Sequence, residues 1–184
     1  MSSATVMGAE DISSAVQILA TSILKNHPDL SEVVLVGVVS AGFPVAQRLK
    51  HALEEKSGVT VPVGKLDVSL YRDDLLSKGH YVTLRETDIP FNLTGKVLIL
   101  VDDVLFSGRT IRAALNALLD FGRSSKIELA VLLDRGHREV PIFAHYVGKT
   151  ITTAHTDHIE LRLYEIEGED VCFLHTSNKC DISA

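Results

Sequence analysis

Apolar and polar positions alternate along the chain with periods that predict helices and strands in turn. Apolar residues recur three and four positions apart over residues 12–23, which predicts an amphipathic helix that stops near Pro28. An unbroken apolar run then covers residues 33–39, and such a run is typical of a strand buried on both faces of a parallel sheet. A second helix is predicted over residues 43–56.

The next stretch is predicted to be a strand followed by a long loop. Apolar residues alternate with polar ones over residues 61–71, which predicts a strand. Over residues 72–95 neither a helical nor a strand period is visible. An irregular stretch of that length in a compact domain predicts a functional loop or a small hairpin arm.

Buried strands and a helix alternate again in the second half of the chain. The run KVLILV at residues 96–101 predicts the most apolar strand. A helix follows, with Leu115 and Leu119 on its core-facing stripe and Gly122 at its end. The last predicted elements are a buried strand at residues 127–133 and a hairpin formed by residues 159–166 and 171–174.

The order of these elements predicts the fold class. Strands that alternate with helices are typical of an α/β domain whose mainly parallel sheet is flanked by helices. No internal repeat, low-complexity tract or linker-like segment interrupts the pattern. We therefore predict a single domain over residues 1–184.

The composition excludes several classes of protein. A chain of 184 residues with 46% hydrophobic residues can form a core without disulfides, so Cys172 and Cys180 are expected to be reduced, incidental thiols. No apolar run approaches the ~18 residues of a membrane span, and the N-terminus does not resemble a secretory signal. We therefore expect a cytoplasmic protein with no membrane partner. The net charge of −6 argues against non-specific coating of nucleic acid.

Candidate chemistry is concentrated in the segment VDDVLFSGRT at residues 101–110. Ligands of parallel sheets bind outside the carboxyl ends of the strands, which is where this segment lies. Asp102 and Asp103 end the predicted strand, and a turn with Ser107 and Gly108 opens the next helix. The start of a helix binds phosphate, whereas adjacent carboxylates select hydroxyl groups or a metal. A sugar phosphate satisfies both halves of the segment.

Two other nucleotide-binding patterns do not fit the sequence. A nucleotide-hydrolysing phosphate loop requires G-x4-G-K-[ST], whereas the stretch from Gly37 to Gly42 continues with Phe43 and Pro44. A dinucleotide-binding fold requires G-x-G-x-x-G after its first strand, and no such segment occurs.

The segment VDDVLFSGRT resembles the phosphoribosyl-pyrophosphate (PRPP) signature of type I phosphoribosyltransferases, in which a buried strand and two acids precede a Ser/Thr-Gly turn. Longer stretches resemble the bifunctional pyrimidine-operon attenuator and uracil phosphoribosyltransferase family. These stretches are LDVSLYRDDL from Leu66, ETDIPFNLTGKVLILVDDVLFSGRTIRAALNAL from Glu86, and LAVLLDRGHREVPIFAHYVGK from Leu129.

The resemblance implies a fold, a reaction and a set of site residues. The fold would be that of type I phosphoribosyltransferases, with a small hood and a flexible loop beside the sheet. The reaction would convert uracil and PRPP to UMP and diphosphate, with Mg²⁺ bound through PRPP. Asp102 and Asp103 would be the catalytic acids that hold the ribose hydroxyls. The phosphate of the ligand would be bound by Val104, Leu105, Phe106, Ser107, Gly108, Arg109 and Thr110.

The same match implies three further groups of residues. The pyrophosphate loop would be Ser40, Ala41 and Gly42. Arg72 and Arg85 would lie on the flexible loop and meet pyrophosphate. Arg135 and the backbone of Ile159 would contact the base. The alternatives are an ion pair of Arg135 with Asp134 or Glu139, core packing for Ile159, and solvated loop arginines.

The sequence departs from the family pattern at two places. The pyrophosphate loop usually reads Lys-Thr-Arg-Gly, whereas Val39, Ser40, Ala41 and Gly42 occupy it here, so both basic side chains are replaced. The Thr-Arg pair that the family uses for RNA is replaced within residues 16–19. The alternative functions are therefore an RNA-binding attenuator of the pyrimidine operon with little catalysis, and a phosphoribosyltransferase for another base.

Other expectations concern metals and assembly. His155, Asp157 and His158 are close in sequence, but no further ligand stands at metal-site spacing, so we predict no protein-held metal and ordinary loop histidines. His137 is predicted to belong to a turn. The family resemblance implies a homo-oligomer, a dimer or larger.

Overall fold

Strands and helices alternate through most of the chain in the computed structural model, which describes residues 2–71 and 86–176. In the described residues, none of the helices combines the length and the hydropathy needed to cross a membrane. The elements in chain order are β1 (Ser2–Met7), α1 (Ala9–Asn26), β2 (Val33–Val38), α2 (Gly42–Ser57), β3 (Val63–Leu66), β4 (Val97–Leu105), α3 (Arg109–Leu118), β5 (Lys126–Asp134), β6 (Tyr146–Thr150), β7 (His158–Arg162), α4 (Tyr164–Glu167) and β8 (Val171–Thr176).

Five strands form a parallel sheet at the centre of the molecule, in the order β3-β2-β4-β5-β6. The apolar runs that predicted buried strands are β2, β4 and β5, which occupy the three middle positions. Helices α1 and α2 pack on one face of this sheet, and α3 contributes to a second apolar cluster that includes residues of the other face. Burial on both faces explains why these strands lack alternating polar residues. The predicted α/β fold with a mainly parallel sheet is confirmed.

A smaller antiparallel sheet of β1, β8 and β7 forms a hood beside the parallel sheet. Apolar residues of the hood, among them Leu163 and Cys172, belong to the same core cluster as α1 and α2. The Arg48 guanidinium on α2 donates to Glu165 at 2.6 and 2.8 Å and to Asp170 at 2.7 and 2.9 Å. Hood and parallel sheet are thus joined by both apolar packing and charge-assisted hydrogen bonds.

Several predicted boundaries are wrong. The strand predicted over residues 61–71 is only β3, because the chain then turns through a short 3₁₀ helix at Ser69–Tyr71. Leu119 is not a core residue, since α3 ends at Leu118 and the following 3₁₀ turn leaves the Leu119 side chain 76% exposed. The strand of the late hairpin ends at Arg162 rather than at residue 166. Strands β1 and β6 were not predicted.

Candidate functional site

A cavity of about 490 Å³ opens at the carboxyl end of β4, where the sequence places the acid pair and the phosphate-type turn. It extends from the end of β4 to the start of hood strand β7. The described residues that line it are Asp102, Val104, Leu105, Phe106, Ser107, Gly108, Arg109, Thr110, Ile111, Glu139 and His158.

The turn at residues 106–110 has the geometry of an anion site. Helix α3 begins at Arg109, so the positive end of its dipole and its first-turn N–H groups lie at the turn. Gly108 has a φ of 86°, a left-handed conformation that favours glycine. A Cβ atom at Gly108 would lie 2.8 Å from Val140 Cγ2, so the position also has no room for a side chain. The left-handed φ and the closely packed side chains of Val140 and Ile142 explain why glycine occupies this turn.

Arg138 supports this turn from behind and was not predicted as a site residue. Its guanidinium donates to the carbonyl oxygens of Phe106 at 2.8 Å and Ile142 at 3.1 Å, and it contacts the Asp134 carboxylate at 2.5 Å. The backbone N–H of Glu139 donates to the Ser107 carbonyl at 3.0 Å. The segment after β5 therefore holds the turn in place. A cation two residues after a glycine is too common a pattern to reveal this role.

The two acids lie in different surroundings. The Asp102 side chain is buried, and its Oδ1 accepts a hydrogen bond of 3.0 Å from the backbone N–H of Asp103. Asp103 is half-buried. Burial and then the negative charge of Asp103 raise the pKa of the Cys172 thiol to about 11, while Lys149 opposes the rise. Cys172 is therefore a protonated core thiol, in keeping with the predicted incidental role.

Gly42, which follows the carboxyl end of β2, packs directly against Asp102. A Cβ atom at Gly42 would lie 2.7 Å from the Val101 carbonyl oxygen and 3.0 Å from Asp102 Cα. The peptide bond between Val39 and Ser40 is cis. Of the predicted pyrophosphate loop, Ser40, Ala41 and Gly42, the structure thus brings Gly42 next to the predicted catalytic residue Asp102.

Arg135 is buried beside the phosphate-type turn. Its guanidinium stacks over the Phe106 ring at 4.2 Å and donates to the carbonyl oxygens of Ala154 and Asp157 at 3.0 and 2.8 Å. Burial lowers the pKa of Arg135. These contacts tie the loop before β7 to the turn. The alternative ion pairs of Arg135 are wrong, because Asp134 contacts Arg138 instead and Glu139 accepts from Arg109 Nε at 2.6 Å.

The remaining predicted positions are less well placed for a direct test. The Ile159 side chain is buried in the core cluster, and its place in β7 leaves a backbone contact with the base as a prediction. Arg72 and Arg85 lie outside the described residues, as does Cys180. The site assignments therefore stay predictions, although Asp102 and the turn line one cavity and Gly42 packs against Asp102.

Glu139 and several histidines at the site were not assigned a role from the sequence. His137, with a φ of 63°, lies in the predicted turn, and its ring and that of His155 flank Phe106 at 6.0 and 5.5 Å. His158, predicted to be an ordinary loop histidine, lines the cavity from the first position of β7. Because these residues are far from Asp102 in the sequence, spacing alone could not have joined them to the site.

Comparison with known proteins identifies relatives over most of the chain. The family model of the phosphoribosyl transferase domain matches residues 8–166. The chain is 50% identical over 163 residues to the Bifunctional protein PyrR of Roseiflexus sp. (strain RS-1), with 89% of each chain covered. It is 45% identical over 175 residues to the Bifunctional protein PyrR of Pelotomaculum thermopropionicum, with 95% of this chain and 97% of the relative covered.

Solved structures of phosphoribosyltransferases share the fold. A hypoxanthine-guanine phosphoribosyltransferase of Bacillus anthracis has a TM-score of 0.65 and 26% identity, with 80% of this chain and 83% of that chain covered. The hypoxanthine phosphoribosyltransferase of Trypanosoma cruzi has a TM-score of 0.72 over 94% of this chain and 97% of that chain. The second match, at 20% identity, bears on the fold alone.

Proposed function

This chain belongs to the PyrR family of phosphoribosyl transferase domain proteins, and from that premise we propose that it transfers the phosphoribosyl group of PRPP to uracil. The products are UMP and diphosphate. The observation that carries the proposal is a cavity that combines a buried carboxylate in the second half of β4 with an anion-binding turn at the start of α3. Few ligands other than a sugar phosphate require both features.

We propose a place in the cavity for each part of the sugar phosphate. The 5′-phosphate binds at residues 106–110, where Ser107 and Thr110 add hydroxyl groups to the helix N-terminus. The carboxylates of Asp102 and Asp103 accept hydrogen bonds from the ribose hydroxyls. The substituent at C1 of the ribose then points away from the turn, toward the hood. Phe106 lines the cavity, and its ring stacks with the Arg135 guanidinium.

The same residues stabilise the transition state. When the bond between C1 and the pyrophosphate oxygen breaks, its electron pair leaves with pyrophosphate and positive charge develops on the ribose ring. N1 of uracil then bonds to C1, and the N1 proton passes to solvent water. Carboxylates close to the ring stabilise the developing positive charge, an effect that is large in a site from which water is excluded.

The donor set of the cavity fits Mg²⁺ held mainly by substrate. Magnesium prefers oxygen ligands and commonly uses one or two carboxylates together with substrate phosphates. Asp102 lines the cavity and Asp103 follows it in β4, so we propose these two as such carboxylates; within the described residues no cluster of three or more His, Cys, Asp or Glu forms a protein-only metal site. We propose that Mg²⁺ arrives with PRPP. When bound, it neutralises charge on the pyrophosphate leaving group.

A second activity is proposed because the relatives are named bifunctional. We propose that the protein binds a leader-RNA hairpin of pyrimidine genes and that UMP strengthens this binding. Electrostatic attraction should contribute little to the RNA affinity, because the net charge is −6 and residues 16–19 contain no Thr-Arg pair. Binding to a hairpin at low salt, increased by UMP, is the expected result. No binding at low salt would remove the second activity.

The transferase activity is tested with purified protein, Mg²⁺, PRPP and a panel of bases. We expect UMP to form from uracil, and Asp103→Asn to reduce kcat by about a hundredfold because the transition-state charge loses a partner. Glu10→Gln, an exposed acid at the start of α1, is the matched control and should change nothing. If a different base gives a nucleotide, that base replaces uracil as the proposed substrate. If no base gives a nucleotide, the proposal is contradicted.

Localisation and assembly stay predictions. A cytoplasmic protein is expected from the sequence, as is a homo-oligomer. Sedimentation of the purified protein measures the oligomeric state directly.

A further inference from the structure

We propose that Phe106 selects pyrimidine bases over purines by placing an apolar ring against the edge of the base that faces the 5′-phosphate. This role rests on the proposed function, because it concerns the base that is joined to C1 of the ribose in the same cavity. It is additional to the phosphate contact predicted for this residue.

Phe106 lies between the phosphate turn and the hood. It is the first residue of the turn at residues 106–110, and it lines the cavity together with His158, the first residue of β7. The Arg135 guanidinium stacks over the Phe106 ring at 4.2 Å and donates to the carbonyl oxygen of Asp157, just before β7, at 2.8 Å. The cation that covers one face of the ring thus also holds the chain where it enters the hood.

Neighbouring groups hold both the backbone and the side chain of Phe106. Arg138 donates to the Phe106 carbonyl oxygen at 2.8 Å, so the backbone is supported from behind. The rings of His137 and His155 have their centroids 6.0 and 5.5 Å from that of the half-buried Phe106 ring. A ring that is held by packed neighbours is a fixed surface, and a fixed surface discriminates between ligands better than an adaptable one.

Pyrimidines and purines differ in chemistry at the edge that this ring meets. In the anti conformation of a nucleotide, the side of the base that turns back toward the 5′-phosphate carries C5 and C6 in a pyrimidine, and N7 and C8 in a purine. The C5–C6 edge of uracil is apolar, whereas N7 of a purine is a hydrogen-bond acceptor. Because the phosphate binds at the turn that Phe106 opens, this edge of the base faces Phe106.

An aromatic ring favours the first of these edges and disfavours the second. Against Phe106, the C5 and C6 carbons of uracil gain an apolar contact. In the same place N7 of a purine loses its water, and the phenyl group has no N–H or O–H to donate to it. An acceptor that is buried without a partner weakens binding by about ten- to a hundredfold. The side chain therefore favours uracil even over a purine that fits the cavity by size.

Two purine nucleotides that differ at one position test this contact. IMP carries N7 and 7-deaza-IMP carries a C–H group in its place, so the ratio of their affinities isolates N7. Wild type, Phe106→Asn and Phe106→Leu are titrated calorimetrically with UMP, and each purine nucleotide is then measured by displacement of UMP. Both purine ligands carry the same ribose 5-phosphate, so any movement of the turn in a variant cancels in the ratio. Phe143→Asn is the matched control, because Phe143 is 69% exposed and lines a different hollow.

The ratio is expected to change with the polarity of residue 106. Wild type should bind 7-deaza-IMP about tenfold more tightly than IMP, and UMP more tightly than either. In Phe106→Asn the side-chain amide donates to N7, so IMP should bind at least as tightly as 7-deaza-IMP, while UMP binds more weakly than in wild type. Phe106→Leu keeps an apolar contact and should keep the wild-type ratio, as should Phe143→Asn.

Several results would overturn the role of Phe106. Equal affinity of wild type for the two purine nucleotides would do so without any variant, because N7 would then have a partner or stay in water. An unchanged ratio in Phe106→Asn, or an equal change in Phe106→Leu, would remove the polarity of the side chain as the cause. Displacement of UMP by neither purine nucleotide, from wild type or any variant, would show exclusion by size. Failure of wild type to bind UMP would instead overturn the proposed function.

Discussion

Gly108 is the position at which the shape of the phosphate turn is most open to test. Replacing it with alanine has two costs. The first is the left-handed φ of 86°, which costs an L-residue about 1–2 kcal/mol. The second is the contact of the new Cβ with Val140 Cγ2 at 2.8 Å and Ile142 Cβ at 3.2 Å. Relief of this overlap requires movement of the supporting segment and costs about 1–2 kcal/mol more.

Gly58 provides a matched control for the first cost alone. It has a φ of 72° at the end of α2, and a Cβ there meets no atom within 4 Å. We therefore expect the free energy of unfolding to fall by about 1–2 kcal/mol in Gly58→Ala and by about 2–4 kcal/mol in Gly108→Ala. For a chain of this length, the difference corresponds to a Tm lower by roughly 3–6 °C in Gly108→Ala.

The functional readout is UMP affinity, measured by calorimetry beside the thermal melts. Displacement of the turn misplaces the N–H groups that bind the phosphate, so Gly108→Ala should weaken UMP binding at least ~10-fold, whereas Gly58→Ala should leave it unchanged. Equal melting temperatures and equal UMP affinities in the two variants would refute the reasoning, because the clash and the turn geometry would then have no measurable effect.

Three further predictions concern stability and packing. Burial would raise the pKa of Glu128, but hydrogen bonds from Lys126, Tyr146 and His27 outweigh it and lower the pKa to about 2. A carboxyl group with a depressed pKa stabilises the fold above pH ~4.5, and this stabilisation is lost as the pH falls toward 2. Between these pH values the free energy of unfolding, measured by urea titration, should therefore fall by about 3 kcal/mol less in Glu128→Gln than in wild type. An unchanged pH profile would contradict this. Arg48→Met should lower the free energy of unfolding by about 1–2 kcal/mol, after allowance for solvent screening, because the hood loses its charged contacts to α2. An undiminished urea midpoint would speak against that contribution. Arg135→Lys should weaken UMP binding and increase proteolysis of the 153–157 loop, since lysine cannot reproduce the guanidinium contacts with two carbonyls and Phe106. Retention of wild-type affinity and protease resistance would count against the positioning role.

The sequence by itself determined the fold class and the centre of the site. Uninterrupted apolar runs identified β2, β4 and β5 because strands buried on both faces need no polar residues. The acids of β4 and the glycine turn that follows it were recognisable because they are close together in the chain and their chemistry is local. The resemblance to the phosphoribosyltransferase family was confirmed by the match over residues 8–166.

Where the local sequence pattern is weak, pairing with a neighbouring strand determined that a segment forms a strand. Strand β6 reads YVGKT, with few apolar residues in alternation, and it is a strand because it pairs with β5 at the sheet edge. Strand β1 pairs with β8, which lies at the other end of the chain. Leu119 has the spacing of the apolar stripe of α3 but lies outside this helix, because the chain forms a 3₁₀ turn after Leu118. No local period encodes a partner more than a hundred residues away.

Only the tertiary structure decided which distant groups share the cavity. His158 is placed at the cavity wall by the stacking of the hood sheet, and Glu139 by the bond of its backbone to Ser107. Arg135 was predicted to be a site residue, but its contacts with Phe106 and the loop before β7 could be seen only in the folded structure. The physical reason is that periodicity records whether a side chain faces core or solvent. Proximity between side chains depends on how separate elements pack.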